Sequence, residues 1–285
     1  MKFYELNNGV LIPIFGQGTY CFTPKEAYKS TLLSFKYGNR LVDTAQYYEN
    51  ERAVGNAILD SKIDRKEIFV STKIWPSYYL DDEAVDKTLK RMQLDYIDLM
   101  FLHQPCGDYI HAYKNLEKAY LDKKIRAIGL SNFSIAQIKE VLNIAHIKPQ
   151  VVQIELHPYY QEKELREFLV KENIAVMSWY PLGHGDKELL NEPCLTNMGN
   201  TYYRTNAQLL LRWQIEHNFI CIPGSKSEDH ISANLGVINF HLKDEDIKMI
   251  DSLNRNKPYY QKSEEKYKKY LTMELNLDDQ EDGRE

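Results

Sequence analysis

Short apolar runs alternate with longer amphipathic stretches along most of this chain. The runs fall at Ile12–Gly16, Leu41–Asp43, Ile68–Ile74, Tyr96–Leu102, Ile125–Leu130, Val151–Glu155, Ala175–Trp179 and Phe219–Ile222. Eight strands separated by helix-sized segments predict a parallel sheet with crossover helices, and eight such units close into a (β/α)8 TIM barrel. Several runs are apolar at consecutive positions, as expected of strands covered on both faces. Ahead of the first run, Phe3–Leu6 and Val10–Ile12 flank Asn7-Asn8-Gly9. This predicts an N-terminal β-hairpin, with Asn-Gly supplying positive φ, placed to plug the barrel bottom.

Helix starts are marked by Asp64, an N-cap before Arg65-Lys66-Glu67, and by Asp81, before the helix that includes Ala84–Arg91. After the last strand, Glu228–Leu235 and Asp244–Leu253 predict two extra helices. From about Asn254 the composition turns polar and charged, and only Tyr270, Leu271, Met273, Leu275 and Leu277 suit packing. The expectation is one domain over 1–285, its barrel covering about 5–255, with a C-terminal arm over 256–285 that ends in disorder.

Composition narrows the class without naming a chemistry. The chain has 285 residues, 43% hydrophobic and 27% charged, which suits a single globular barrel of this length. A net charge of -5 gives no electrostatic reason to expect nucleic acid. No uninterrupted apolar stretch is long enough to span a bilayer, and the N-terminus lacks the apolar core of a signal peptide. Cys21, Cys106, Cys194 and Cys221 are scattered without metal-like spacing, so they read as reduced thiols of a cytoplasmic protein.

The candidate chemistry sits where the runs end. Asp43 and Tyr48 follow Leu41-Val42, Lys73 closes the third run and His103 follows the fourth. In a barrel of parallel strands these ends converge on one mouth, where catalytic groups come from several strands. Tyrosine, with a pKa of about 10, is a poor proton donor near neutrality. A lysine ammonium beside it favours the phenolate; at about 4 Å and an effective dielectric near 20 the attraction is roughly 4 kcal/mol. The residues therefore suggest Tyr48 as acid, Lys73 as its activator, Asp43 as the anchor of Lys73, and His103 as orienter of a carbonyl oxygen. Such a proton donor suits carbonyl reduction.

The words around these residues carry a resemblance. Asp43-Thr44-Ala45-Gln46-Tyr47-Tyr48-Glu49-Asn50-Glu51, with Val54-Gly55 after it, resembles the signature of the aldo-keto reductase family. So do Thr72-Lys73-Ile74-Trp75, Leu102-His103-Gln104-Pro105, Gly129-Leu130-Ser131-Asn132-Phe133, Gln153-Ile154-Glu155-Leu156-His157-Pro158 and Pro181-Leu182-Gly183, in family order. The resemblance covers about residues 5 to 255. It implies a barrel that reduces aldehydes or ketones with NADPH, and it matches Asp43, Tyr48, Lys73 and His103 to the family's four catalytic positions.

No Gly-x-Gly-x-x-Gly joins a strand to a helix; Gly16-Gln17-Gly18 stops short, which argues against a Rossmann dehydrogenase. Barrels bind phosphate instead with the loops after strands seven and eight and a helix N-terminus. Ile222-Pro223-Gly224-Ser225-Lys226-Ser227 lies at that place. By resemblance, Ser131, Asn132 and Gln153 hold the nicotinamide carboxamide and Trp179 stacks on the ring. Gly18, Thr19, Leu182 and Gly183 follow the cofactor, with Ser225, Lys226, His230 and Asn234 toward its 2′-phosphate. The chain departs from the family pattern at Gly224, commonly Lys, at His230, commonly Arg, and at Tyr180, frequently Ser. Losing the Arg removes a bidentate phosphate clamp. NADPH is therefore expected by a reduced margin, with NADH possible.

Tyr20 and Trp75 are expected as substrate walls by resemblance, with the arm as a lid, for a small-molecule carbonyl. No metal, nucleic acid or membrane partner is expected, and the chain is expected as a monomer or weak dimer. Two other readings remain open at this point. One is an NADPH-binding sensor on the same barrel; the other is a metal-assisted barrel hydrolase or isomerase using Asp43 and His103.

Overall fold

The structure is a computed structural model that describes residues 2–284. Strands β1 (Phe3–Glu5) and β2 (Leu11–Pro13) form the antiparallel hairpin, with Phe3 opposite Pro13. Gly9, at φ +81°, makes the turn that lets Leu6 and Val10 pair. Eight parallel strands follow: β3 (Gln17–Gly18), β4 (Leu41–Asp43), β5 (Phe69–Ile74), β6 (Leu99–Leu102), β7 (Ile128–Ser131), β8 (Val151–Glu155), β9 (Ala175–Trp179) and β10 (Ile220–Cys221). The ends of the sheet meet: Cys221 N donates to Ile14 O at 2.9 Å and Gly16 N to Cys221 O at 2.9 Å. Helices join successive strands from β3 to β10, so the architecture is the (β/α)8 barrel that the pattern predicts.

Side-chain alternation divides the core in two. Leu41, Phe69, Leu99, Phe101, Ala127, Val151 and Met177 fill the barrel interior together with Leu6 and Ile12 of the hairpin, which thereby caps the strand N-termini. Val42, Val70, Met100, Leu102, Ile128, Leu130, Val152 and Val176 point outward to the helix layer. This two-sided burial is why the runs are continuously apolar. Gly129 shows how full the interior is, since a Cβ there would sit 2.3 Å from the Phe101 ring.

Two local expectations need correction. The run Ile12–Gly16 is not one strand: Ile12 belongs to β2, and barrel pairing begins only at Phe15, which bridges Cys221. Hydrophobicity is continuous because each half is buried in its own cluster, Ile12 in the barrel interior and Ile14 and Phe15 against Leu211, Ile215 and Val237. Asp81 does not cap the helix Ala84–Met92 directly. Its carboxylate accepts from Glu83 N at 3.1 Å, and Glu83 stands at the N-cap without a side-chain cap bond. Asp64 does cap its turn, accepting from Lys66 N at 3.0 Å.

The polarity of the arm conceals specific contacts. It crosses the barrel mouth, forms the helix Glu264–Leu271, and then runs along the helix Glu51–Asp60 as far as Arg284. Leu277 and Gln280 are buried in that run.

Candidate active site at the barrel mouth

Period-two alternation along β5 puts Ser71 and Lys73 on the inner face and Thr72 on the outer one. Asp43, opposite Ser71 in the β4–β5 register, receives both. Ser71 Oγ donates to Asp43 Oδ1 at 2.7 Å, and Lys73 Nζ to Asp43 Oδ2 at 2.6 Å. Lys73 Nζ also donates to Thr44 O at 2.8 Å and to Tyr48 OH at 3.2 Å. Tyr48 ends a 3-10 turn, Gln46–Tyr48, that Glu49 terminates in the left-handed conformation. That turn is pinned on both sides. Gln46 Oε1 accepts from Trp75 N at 2.9 Å, and Asn50 Nδ2 donates to Thr19 O at 3.0 Å and Phe22 O at 3.1 Å. His103 follows β6, its ring edge-on to Tyr48 at 5.7 Å and to Trp75 at 5.0 Å between centroids. Its Nδ1 is buried without a hydrogen-bond partner among the described residues.

Electrostatics corrects one sequence expectation. Burial pushes the Tyr48 phenol well above its ordinary pKa, and the Asp43 carboxylate adds to the rise. The lowering expected from Lys73 is outweighed first by burial and then by the Asp43 carboxylate, which pairs with the Lys73 ammonium at 2.6 Å. Burial likewise lowers Lys73, which is 0% exposed, with Asp43 partly offsetting the fall. His103 is held well below its usual value by burial first and then by the Lys73 charge, so it is a neutral imidazole near pH 7. The site therefore presents a protonated phenol against a compensated ion pair.

These groups open onto a cavity of about 570 Å³. Of the residues singled out for a cofactor, Gly18, Ser131, Asn132, Gln153, Trp179 and Leu182 line it. Gln153 Nε2 donates to Asp43 Oδ1 at 3.1 Å, and Trp179 Nε1 to Asn132 Oδ1 at 3.1 Å, so this wall is joined to the ion pair. Thr19 instead lies behind the wall, fully buried, its hydroxyl donating to Asp43 O at 3.0 Å. Gly183, Ser225, Lys226, His230 and Asn234 lie outside the cavity lining. Lys226 pairs with Glu26 at 2.8 Å, and His230 is exposed on the helix Glu228–Leu235, whose first turn carries Glu228 and Asp229.

Tyr20 lines the cavity as expected of a substrate wall. Trp75 also lines it but is largely covered, with Tyr47 stacked on it at 4.4 Å and Tyr270, from the arm, at 4.7 Å. Tyr47, Tyr180, Tyr260 and Tyr270 form much of the remaining wall. Sequence reasoning had not placed these four in the site. Tyr47 was legible beside Tyr48, whereas nothing local in the arm singled out Tyr260. Among the described residues, no Lys or Arg lines the cavity.

Comparison with known proteins agrees with this geometry. The family model described as "Aldo/keto reductase family" matches residues 14–255. Glyoxal reductase of Bacillus subtilis is 40% identical over 257 residues, covering 88% of this chain and 92% of that protein. Morphine 6-dehydrogenase of Pseudomonas putida is 35% identical, covering 88% and 90%. Among solved structures, an aldo-keto reductase from a Medee basin deep-sea metagenome library superposes with a TM-score of 0.88 at 36% identity, covering 90% of this chain and 97% of the other. A Bombyx mori aldo-keto reductase in complex with NADP gives 0.88 at 29% identity, covering 94% and 97%. A barrel of this topology with these motifs, matched over residues 14–255, belongs to the aldo/keto reductase family, and the chain is an oxidoreductase of that family.

Proposed function

We propose that this enzyme reduces a neutral aldehyde or ketone to an alcohol with NADPH, and that Tyr48 donates the proton to the carbonyl oxygen. The observation that carries the reading is Lys73 Nζ, 3.2 Å from Tyr48 OH and 2.6 Å from Asp43 Oδ2, beneath an open cavity. A nicotinamide fits the wall beside it. Ser131, Asn132 and Gln153 offer the mixed donors and acceptors that a carboxamide needs, and the Trp179 ring offers a stacking face. When bound, the reduced cofactor supplies the hydride that the carbonyl carbon accepts.

The residues do the rest. Tyr48, holding its proton firmly in the free site, releases it only as negative charge builds on the carbonyl oxygen. The phenolate left behind accepts the hydrogen bond of the Lys73 ammonium, so the ion pair stabilises the state formed during reaction rather than the resting one. Neutral His103 donates to or orients the same oxygen without adding charge. Desolvated positive charge at Lys73 is affordable because Asp43 pairs with it.

The cavity's phenol and indole walls, with no Lys or Arg among the described residues that line it, favour uncharged planar carbonyl compounds. Relatives named for glyoxal and for morphine differ widely in the size of what they act on, so the substrate is left at that class. NADPH over NADH rests on the resemblance and on the loop after β10. Lys226 stands there with its charge engaged by Glu26, and His230 replaces a guanidinium, so the margin is modest. A screen of NADPH consumption across aldehydes, ketones and keto acids tests the reading. Turnover of neutral carbonyls supports it; silence on every compound with cofactor bound would instead favour a cofactor-sensing role.

A further inference from the structure

Behind the strands that carry the ion pair lies a second buried pair that the chemistry above does not use. Glu51, the first residue of the helix Glu51–Asp60, is fully buried. One of its oxygens accepts from Thr72 Oγ1 at 2.6 Å and the other from Arg91 Nη1. Arg91 is a hub. Its Nη1 also reaches Thr88 Oγ1 at 3.4 Å, a hydroxyl that Gln46 Nε2 meets at 3.3 Å, and its Nε donates to Leu277 O at 2.7 Å.

Two spokes lead to groups beside the proton donor or its partner. Thr72 immediately precedes Lys73, and Gln46 opens the turn that ends in Tyr48. The third spoke is the chain's own tail. That tail also grips the far side of the turn, where Asn276 N donates to Glu49 Oε1 at 2.6 Å, one residue beyond Tyr48. Further along, Arg52 N donates to Gln280 Oε1 at 3.0 Å and Asn56 Nδ2 to Asp282 O at 2.9 Å. Together these bonds fasten the tail to the helix that begins just after Tyr48.

A buried Arg–Glu pair is a poor source of stability, because desolvating both charges offsets their attraction. Its use lies in direction: a guanidinium fork fixes several acceptors in one plane. A carbonyl supplied by the tail completes that set, and among the described residues Arg91 Nε donates to it alone. We propose that the tail from Leu275 to Arg284 is a positioning element. Through Arg91 and Glu51 on one side, and through Glu49 on the other, it sets the separation of Tyr48 and Lys73. The proposal rests on the reading that Tyr48 is the proton donor.

Two altered proteins test it: a chain ending at Glu274, which keeps the arm helix, and full-length Arg91→Lys beside Arg91→Met. Readouts are kcat, KM for a neutral aldehyde, thermal melting, and the NADPH dissociation constant from tryptophan fluorescence. The shortened chain should melt cooperatively and bind NADPH within about twofold of the intact protein. It should lose about tenfold or more in kcat, with KM changed less than about threefold. Arg91→Met should show the same split, and Arg91→Lys should recover part of the loss. Unaltered kcat in the folded shortened chain, or a loss confined to KM, would overturn the proposal. Should the shortened chain fail to bind NADPH, Arg91→Lys decides: lowered kcat at unchanged NADPH affinity supports positioning, and full kcat refutes it. Absence of turnover by the unaltered chain sinks the underlying reading of Tyr48, and this one with it.

Discussion

Replacing Asp43 by Asn keeps the side-chain shape and removes the carboxylate 2.6 Å from the Lys73 ammonium. Lys73 is 0% exposed, so the charge left behind cannot turn to water. Breaking a buried pair by removing one partner costs about 3–5 kcal/mol, a large share of the roughly 5–15 kcal/mol that holds a domain together. The pH dependence has a definite sign. Burial already lowers the Lys73 pKa in the folded protein, and losing Asp43 lowers it further. Between that value and the unfolded value of about 10.4, the unfolded chain binds more protons, so stability rises with pH across this window. Urea unfolding of both proteins between neutral and alkaline pH checks this. The variant should be weaker by about 3–5 kcal/mol near pH 7, with a gap that narrows as pH rises. A variant within about 0.5 kcal/mol of the unaltered protein at neutral pH, or a gap that widens with pH, would refute the reasoning.

Other predictions follow from the cavity and its rim. Benzaldehyde should exceed 4-carboxybenzaldehyde in kcat/KM by about tenfold or more, because no Lys or Arg in the lining meets a carboxylate; equal values would contradict this. The ratio of kcat/KM for NADPH over NADH should exceed one, and His230→Arg should raise it by about tenfold by restoring a phosphate fork; a ratio below one overturns the cofactor preference. Tyr270→Ala removes a ring 4.7 Å from Trp75 and should raise KM for aromatic carbonyls while leaving NADPH binding unchanged. An unaltered KM would remove the arm from the substrate wall.

The sequence was most legible where local chemistry and global topology agree. Leu41-Val42-Asp43 and the run ending at Ile74 read as strands because both faces are buried, and strand ends in such a barrel converge whatever the loops do. The side of β5 on which Lys73 lies is set in the fold, where alternation turns it toward Asp43. The energetics were less legible. The effect of Lys73 on Tyr48 depends on how dry the site is and on how closely Asp43 balances the charge, and neither is written in residue spacing. The split of Ile12–Gly16 between hairpin and barrel was hidden because both halves are buried, Ile12 in the barrel interior and Ile14 and Phe15 against Leu211 and Ile215. Least visible was the arm. Tyr270 and Leu277 suit packing by their apolarity, but their partners, like those of Tyr260 and Asn276, lie some 150 to 230 positions away, which no local pattern encodes.

The most direct test of the central claim is the turnover of Tyr48→Phe, measured alongside its NADPH affinity. Phenylalanine keeps the ring against His103 and removes only the hydroxyl that Lys73 Nζ meets at 3.2 Å. The account predicts a fall in kcat of about 10²–10⁴-fold with NADPH bound as tightly as before. A variant that reduces the same aldehyde at the unaltered rate would contradict it.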